Sequence, residues 1–415
     1  MSTTTTPRTD ATSRTPLRGR LAVLSVMLGI FAIVTTEILP IGLLTPIGAD
    51  FGVADGTAGL MMTMPGLLAA VAAPVVTLAT ARADRRLMLS ALVLLLAVAN
   101  FLTAAATAYW LVLVARVLVG ITIGGFWSIG VGPAARLVRP ASAGRATAVV
   151  FAAVPLGSVF GVPAGTFIGG LAGWRTAFAA MGLLSTGVLA LLLLTLPALP
   201  PAAVTRPSVL RALLRGTGTR YALLMTFLIV IAHFATYTYV TPFLRQITRT
   251  DPARITGYLL LYGAAGVVGN FIGGALVTRA PRLAFGTAAA TIAAATALLP
   301  VLGRTDAGAL ALLVVWGLGY GAVPVCSQTW FARAAPQAPE AATVLFTASF
   351  QATLAAGALT GGAVVDHTSL RAVMWCGAVT AGLVVLAAGV RRAEPRTPGQ
   401  REAVACGSPD SAVRR

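Results

Sequence analysis

The segment ALPPAAVTRPSVLRALLRGTGTR, residues 198–220, is the longest polar break inside an apolar chain, and it lies near the middle. It carries Pro200, Pro201 and Pro207 with Arg206, Arg211, Arg215 and Arg220, and arginines are expelled from a hydrocarbon core. A helix crosses that core with roughly 20 apolar residues. Six such runs precede the break, at 21–44, 56–79, 88–107, 110–135, 146–170 and 176–197. Six follow it, at 221–244, 255–278, 283–302, 308–331, 342–364 and 371–390. Of the 415 residues 57% are hydrophobic and only 10% charged, against about a quarter charged in soluble domains. The expected fold is therefore all-α and integral to the membrane. Twelve transmembrane helices form two six-helix halves, 21–197 and 221–391, joined by the linker 198–220. The polar ends, 1–20 and 392–415, read as disordered tails.

The net charge of +18 would suit a nucleic-acid partner, but its distribution excludes one. All thirty basic residues are arginine, and 23 fall in the tails and loops on the side that both termini share. Six fall in the opposite loops, and Arg116 lies within a span. This is the positive-inside pattern, so both termini are expected in the cytoplasm and the protein in the cell membrane. Cys326, Cys376 and Cys406 form no metal or disulfide spacing, and His233 and His367 stand far apart without cysteine partners. With no lysine, no phosphate-binding GxxxxGK[ST] loop can exist. No enzyme, metal or cofactor is expected; any energy would come from a proton gradient.

The second half echoes the first. TARADRRLML (80–89) corresponds in place to VTRAPRLAFG (277–286), GITIGG (120–125) to GLGYGA (317–322), and Gly169-Gly170 to Gly361-Gly362. Three matches in order indicate a parallel duplication of a six-helix unit, as in transporters that rock two halves about a central site. ARADRRLM after the second run, LVLVARVLVGITIGGFW in the fourth and GSVFGVPAGTFIGG in the fifth resemble the signature motifs of the major facilitator superfamily. The usual glycine before the arginines of the first motif is missing. TTEILPIGLLTPIGADFGV, GWRTAF and WGLGYGAVPVCSQTW resemble its twelve-span drug:proton antiporters, in the branch of arabinose-type and purine-nucleoside exporters. The resemblance implies secondary-active, proton-coupled efflux of a drug, nucleoside or sugar-like molecule by a monomer. Uptake or facilitated passage of a metabolite, or a membrane sensor that transports nothing, are the alternatives.

Two formal charges lie clearly within spans, Glu37 and Arg116. At 1.5 Å per residue they sit roughly 10 and 9 Å from the same surface. They are expected to share a water-filled cavity and interact directly or through water, with Glu37 binding the proton. Thr226, His233, Tyr237 and Thr241 form a polar stripe on the seventh run. Tyr237 and His233, with Trp316, Tyr320 and Gln328 of the tenth run, offer stacking faces and polar edges for a planar substrate. Trp127 could floor such a pocket, with Gly120 and Gly124 beside Arg116; Gln351 and Asn270 are further candidates. The resemblance implies a gate at Asp84, Arg85 and Arg86, where the aspartate works across the interface between halves. Asp366 reads as a solvated loop charge.

Gly157, Gly161, Gly165, Gly169 and Gly173 recur every fourth residue, with Pro163 among them. They predict close helix packing of the GxxxG type. The resemblance places this ridge against the eighth run, whose own GAAGVVGNFIGG spans 263–274, at the moving interface.

Overall fold

The computed structural model describes residues 16–80, 83–129, 137–138, 142–199 and 207–389. Among them, twelve helices are long and apolar enough to cross a membrane. Spans 1 to 6 are Leu17–Phe51, Asp55–Ala79, Arg85–Ala104, Tyr109–Ser128, Ala152–Ala172 and Trp174–Thr195. Spans 7 to 12 are Thr217–Tyr237, Pro252–Arg279, Pro281–Leu302, Asp306–Ala334, Ala341–His367 and Leu370–Gly389.

The packing repeats with an offset of six. Span 1 packs on span 5, 2 on 4 and 3 on 6; correspondingly span 7 packs on 11, 8 on 10 and 9 on 12. Contact between the two sets runs through spans 2 and 11 on one side and spans 5 and 8 on the other. Small residues set these distances. A Cβ on Gly124 of span 4 would lie 2.7 Å from the Ala73 amide nitrogen of span 2, and Gly317 and Gly321 of span 10 press on the backbone of span 8. In lipid such backbone proximity supplies the van der Waals contact that hydrophobic burial supplies in water.

Several boundaries differ from the sequence reading. Helix 1 begins at Pro16 and runs unbroken to Phe51 through Pro40 and Pro46, so the last residues of the expected first tail are helical. The rest of that tail, and 392–415, lie outside the described residues. The expected linker contains a helix, Pro207–Arg215, with proline at its first position where the missing amide costs nothing. Spans 5 and 6 meet at Gly173, whose φ of 84° belongs to the region glycine tolerates best.

The glycine ridge is a correction. Cβ atoms on Gly157, Gly161 and Gly165 would meet Val34, Ile38 and Leu39 of span 1 at 2.9, 3.0 and 2.7 Å, and Gly169 faces Leu43. The ridge therefore welds spans 5 and 1 within one half. A four-residue glycine period allows a close partner without specifying which helix it is. The close approach to span 8 uses that span's Gly263 against Val159, beside a Thr256–Thr166 hydroxyl contact of 2.8 Å. Pro163 removes the amide that would cap the Val159 carbonyl, on this interhelix face.

Candidate functional site

Three hydrogen bonds between the halves lie at the arginine-poor end. The Gly56 amide donates to Asp366 (2.9 Å), Gln246 to Asp55 (2.8 Å) and Thr256 to Thr166 (2.8 Å). Tyr239 donates its hydroxyl proton to Ala358 O at 2.9 Å, and its oxygen lies 3.4 Å from Gly56 O of the first half. Gly59 and Gly362 give that phenol room: a Cβ on Gly362 would lie 2.6 Å from its oxygen. Asp366, expected as a solvated loop charge, is exposed but lies in the last turn of span 11, and it also accepts a bond from the other half. Its partner is a backbone amide 310 residues away, which no side-chain pattern announces.

At mid-depth a fourth bond joins the halves. Gln351 Nε2 of span 11 donates to Glu37 Oε1 of span 1 at 2.7 Å, and both residues are buried. Gly66 explains how Gln351 comes so near. A Cβ there would lie 2.7 Å from Gln351 O, so span 11 rests directly on span 2 at this level.

Arg116 and Glu37, expected to interact directly or through water, make no direct ion pair. Among the described residues, the ion pairs are Arg175–Asp50 and Arg254–Asp306, both exposed. Arg116 is fully buried and donates Nη1 to Thr36 O at 2.9 Å, while its guanidinium lies 4.9 Å from the Phe178 ring centre. Thr36 O is available because its helical partner would be the amide of residue 40, which is proline. Asn100 donates to the Thr36 hydroxyl at 3.1 Å. Arg116 therefore ties spans 1 and 4 beside Glu37, whose carboxylate turns to the other half. Pro40 is the sequence signal that the depth comparison missed.

The aromatic candidates of the second half meet. His233, Tyr237 and Tyr320 come together with Tyr262 of span 8, their rings nearly parallel. His233 lies 3.3 Å from Tyr320 at 6° and 5.0 Å from Tyr237 at 21°; Tyr237 lies 4.5 Å from Tyr262 at 22°. Trp316 stands across them, at 76° to His233 and 83° to Tyr237 and Tyr262, and its Nε1 donates to His233 Nδ1 at 3.2 Å. Phe234 meets Tyr320 edge-on. Tyr262 was missed because span 8 reads as a plain apolar run rich in glycine; the signal was Tyr262 next to Gly263.

Other candidates lie apart. Gln328 is exposed, two turns beyond Tyr320, and Trp127 is half-buried against the first half's core. Thr226 bonds Ser327 of span 10 at 3.1 Å, tying spans 7 and 10. Gly120 and Gly124 pack on span 2, and Asn270 is half-buried on span 8. Asp84 caps span 3 by accepting from the Arg86 amide (2.8 Å) and accepts from the Leu199 amide (3.0 Å). Arg86 donates to Leu193 O at 2.6 Å, and the Arg85 amide to Leu199 O at 3.0 Å. These contacts hold the turn between spans 2 and 3 to the end of span 6, inside one half.

The pattern of the Major Facilitator Superfamily matches residues 26–345. A purine ribonucleoside efflux pump, NepI, of Salmonella paratyphi A is 30% identical over 349 residues, covering 84% of this chain and 88% of that protein. The NepI of Salmonella typhimurium is 29% identical over the same shares. Among solved structures, a bacterial homologue of the human lysosomal transporter Spinster superposes with a TM-score of 0.70 at 14% identity, covering 90% and 97% of the two chains. The human organic anion transporter MFSD10 gives 0.64 at 17% identity, covering 89% and 99%.

Proposed function

Because the chain belongs to the major facilitator superfamily and is a multi-pass membrane transporter, we propose that it exports a small organic molecule in exchange for protons, with Glu37 as the proton carrier. The observation that carries this reading is the buried Glu37–Gln351 bond at mid-depth between the halves. A carboxylate accepts a charge-assisted bond from the amide; a protonated carboxyl accepts only a neutral, weaker one. Proton binding thereby loosens a contact that must break when the halves rock. Arg116 is fixed on Thr36 O, one residue from the carrier.

The bonds between the halves that run from mid-depth to the arginine-poor end support entry of substrate from the arginine-rich side. By the distribution of arginines that side faces the cytoplasm, from which an exporter loads its substrate. Asp84, Arg85 and Arg86 then serve as the gate on that side when the opposite end opens. The likeness to pumps named for purine ribonucleosides supports a nucleoside as substrate, and the aromatic bank of the second half suits a planar base. A working monomer needs no further chain. Reconstituted protein should drive adenosine against its gradient when a pH gradient is imposed, and Glu37→Gln should abolish that coupling. Coupled transport by Glu37→Gln would refute the proposal.

A further inference from the structure

An indole N–H can only donate, so His233 Nδ1, which receives the Trp316 bond, presents a lone pair. The ring proton therefore sits on Nε2, a donor lying in the ring plane. Nε2 is buried and meets no acceptor among the described residues, and the Tyr262 hydroxyl likewise meets no partner among them. His233 is 0% and Tyr262 6% exposed. Protein interiors pair the great majority of buried polar groups. Two unpaired groups in one aromatic cluster need a cause.

The surrounding rings limit what could supply the acceptors. His233, Tyr237, Tyr262 and Tyr320 present nearly parallel faces, and Trp316 closes one side as a perpendicular wall. Tyr320 is the half-buried member of the bank, so it is the ring accessible from outside the cluster. A flat π system stacks on such a surface with offset faces, and a saturated ring gains no such contact. No cation belongs to the bank, which disfavours a carboxylate or phosphate ligand. The required partner is flat and carries neutral lone pairs in its own plane.

We infer that His233 Nε2 and the Tyr262 hydroxyl are the edge-reading pair of a substrate subsite for a planar nitrogen heteroaromatic of the purine type. Ring nitrogens or a ring carbonyl of the base supply the two acceptors, while its face lies against the tyrosine bank. Trp316 is a positioning residue: by donating to Nδ1 it holds the imidazole in the tautomer that donates to the base. This deepens the exporter reading and rests on it for the biological use of the site; the binding itself does not depend on Glu37.

The test is adenosine binding to purified protein by calorimetry, with thermal midpoints measured without ligand. Tyr262→Phe keeps the ring and removes the hydroxyl. His233→Asn keeps an acceptor for the Trp316 indole and removes the Nε2 donor. Each should weaken adenosine about tenfold or more. The ligand-free midpoint of Tyr262→Phe should stay level or rise, because a buried unpaired hydroxyl is gone. Ethidium, flat but without in-plane acceptors, should bind wild type and Tyr262→Phe alike. Unchanged adenosine affinity, a lowered midpoint in Tyr262→Phe, or a parallel loss of ethidium would overturn the assignment. Absence of adenosine binding to the unchanged protein would overturn the ligand class. Glu37→Gln should still bind adenosine, so failure of the coupling reading and failure of this one are separable.

Discussion

Arg116 occupies the place that the missing amide of Pro40 leaves open: its guanidinium donates to Thr36 O, four residues before the proline. A kink residue in one helix thereby creates the acceptor that a buried cation from another helix requires. Pro40→Ala would restore the competing amide and deprive Arg116 of a charge-assisted bond. The expected loss is about 2 kcal/mol of stability, measured as a lowered thermal midpoint in detergent. In an Arg116→Met background the same substitution should be neutral or stabilising. Additive effects of the two changes would show that Pro40 and Arg116 are not linked.

Gln351 should act on coupling more than on binding. Gln351→Leu removes the donor that Glu37 accepts from across the interface, leaving the aromatic bank intact. Counterflow of substrate at equal pH is expected to continue near the wild-type rate, while accumulation driven by a pH gradient falls at least about tenfold. The groups around Glu37 that this change leaves in place are Arg116 and Tyr320. Wild-type pH dependence in Gln351→Leu would remove the residue from the coupling route.

The two glycine contacts of span 5 should separate stability from movement. At Gly161 a Cβ alone would lie 3.0 Å from Ile38 and 3.2 Å from Thr35 Cα, inside one half. Gly161→Val is expected to cost about 1–3 kcal/mol through overpacking, seen as poor recovery of folded protein. Gly263→Val presses on Val159 of the other half, so it should leave folded protein but slow transport. The opposite assignment of phenotypes would return the ridge to the moving interface.

The arginine-poor end should loosen when Asp366 loses its carboxylate. Asp366→Ala deletes the acceptor for the Gly56 amide, one of the bonds holding the halves together there. Spin labels at the exposed Thr107 and Asp251, with the native cysteines replaced by serine, should report a population at longer distance. A distribution identical to that of the parent would mean the bond does not hold this end.

How far the sequence led depends on the range of each interaction. The twelve spans follow from local hydropathy, and the repeat of packing pairs agrees with three short echoes between the halves. Glu37 and Arg116 stood out because an intramembrane charge is rare. Their contacts did not: Thr36 O depends on a backbone vacancy at Pro40, and Gln351, itself a candidate, is 314 residues from the Glu37 it pairs with. His233, Tyr237, Trp316 and Tyr320 were legible from helical spacing, since each pair shares a face. Tyr262 required knowing that span 8 packs on span 10, a tertiary fact. The bond of Asp366 across the halves was not legible because its partner is a main-chain amide, which carries no residue signature.

The central claim is that Glu37 carries the proton that drives export. The decisive measurement compares wild type and Glu37→Gln in proteoliposomes loaded with labelled adenosine, with and without an imposed pH gradient. The glutamine keeps the shape and can neither ionise nor release a proton. Wild type should move adenosine uphill only with the gradient, and Glu37→Gln should exchange adenosine equally well with or without it. Gradient-driven uphill movement by Glu37→Gln would contradict the claim.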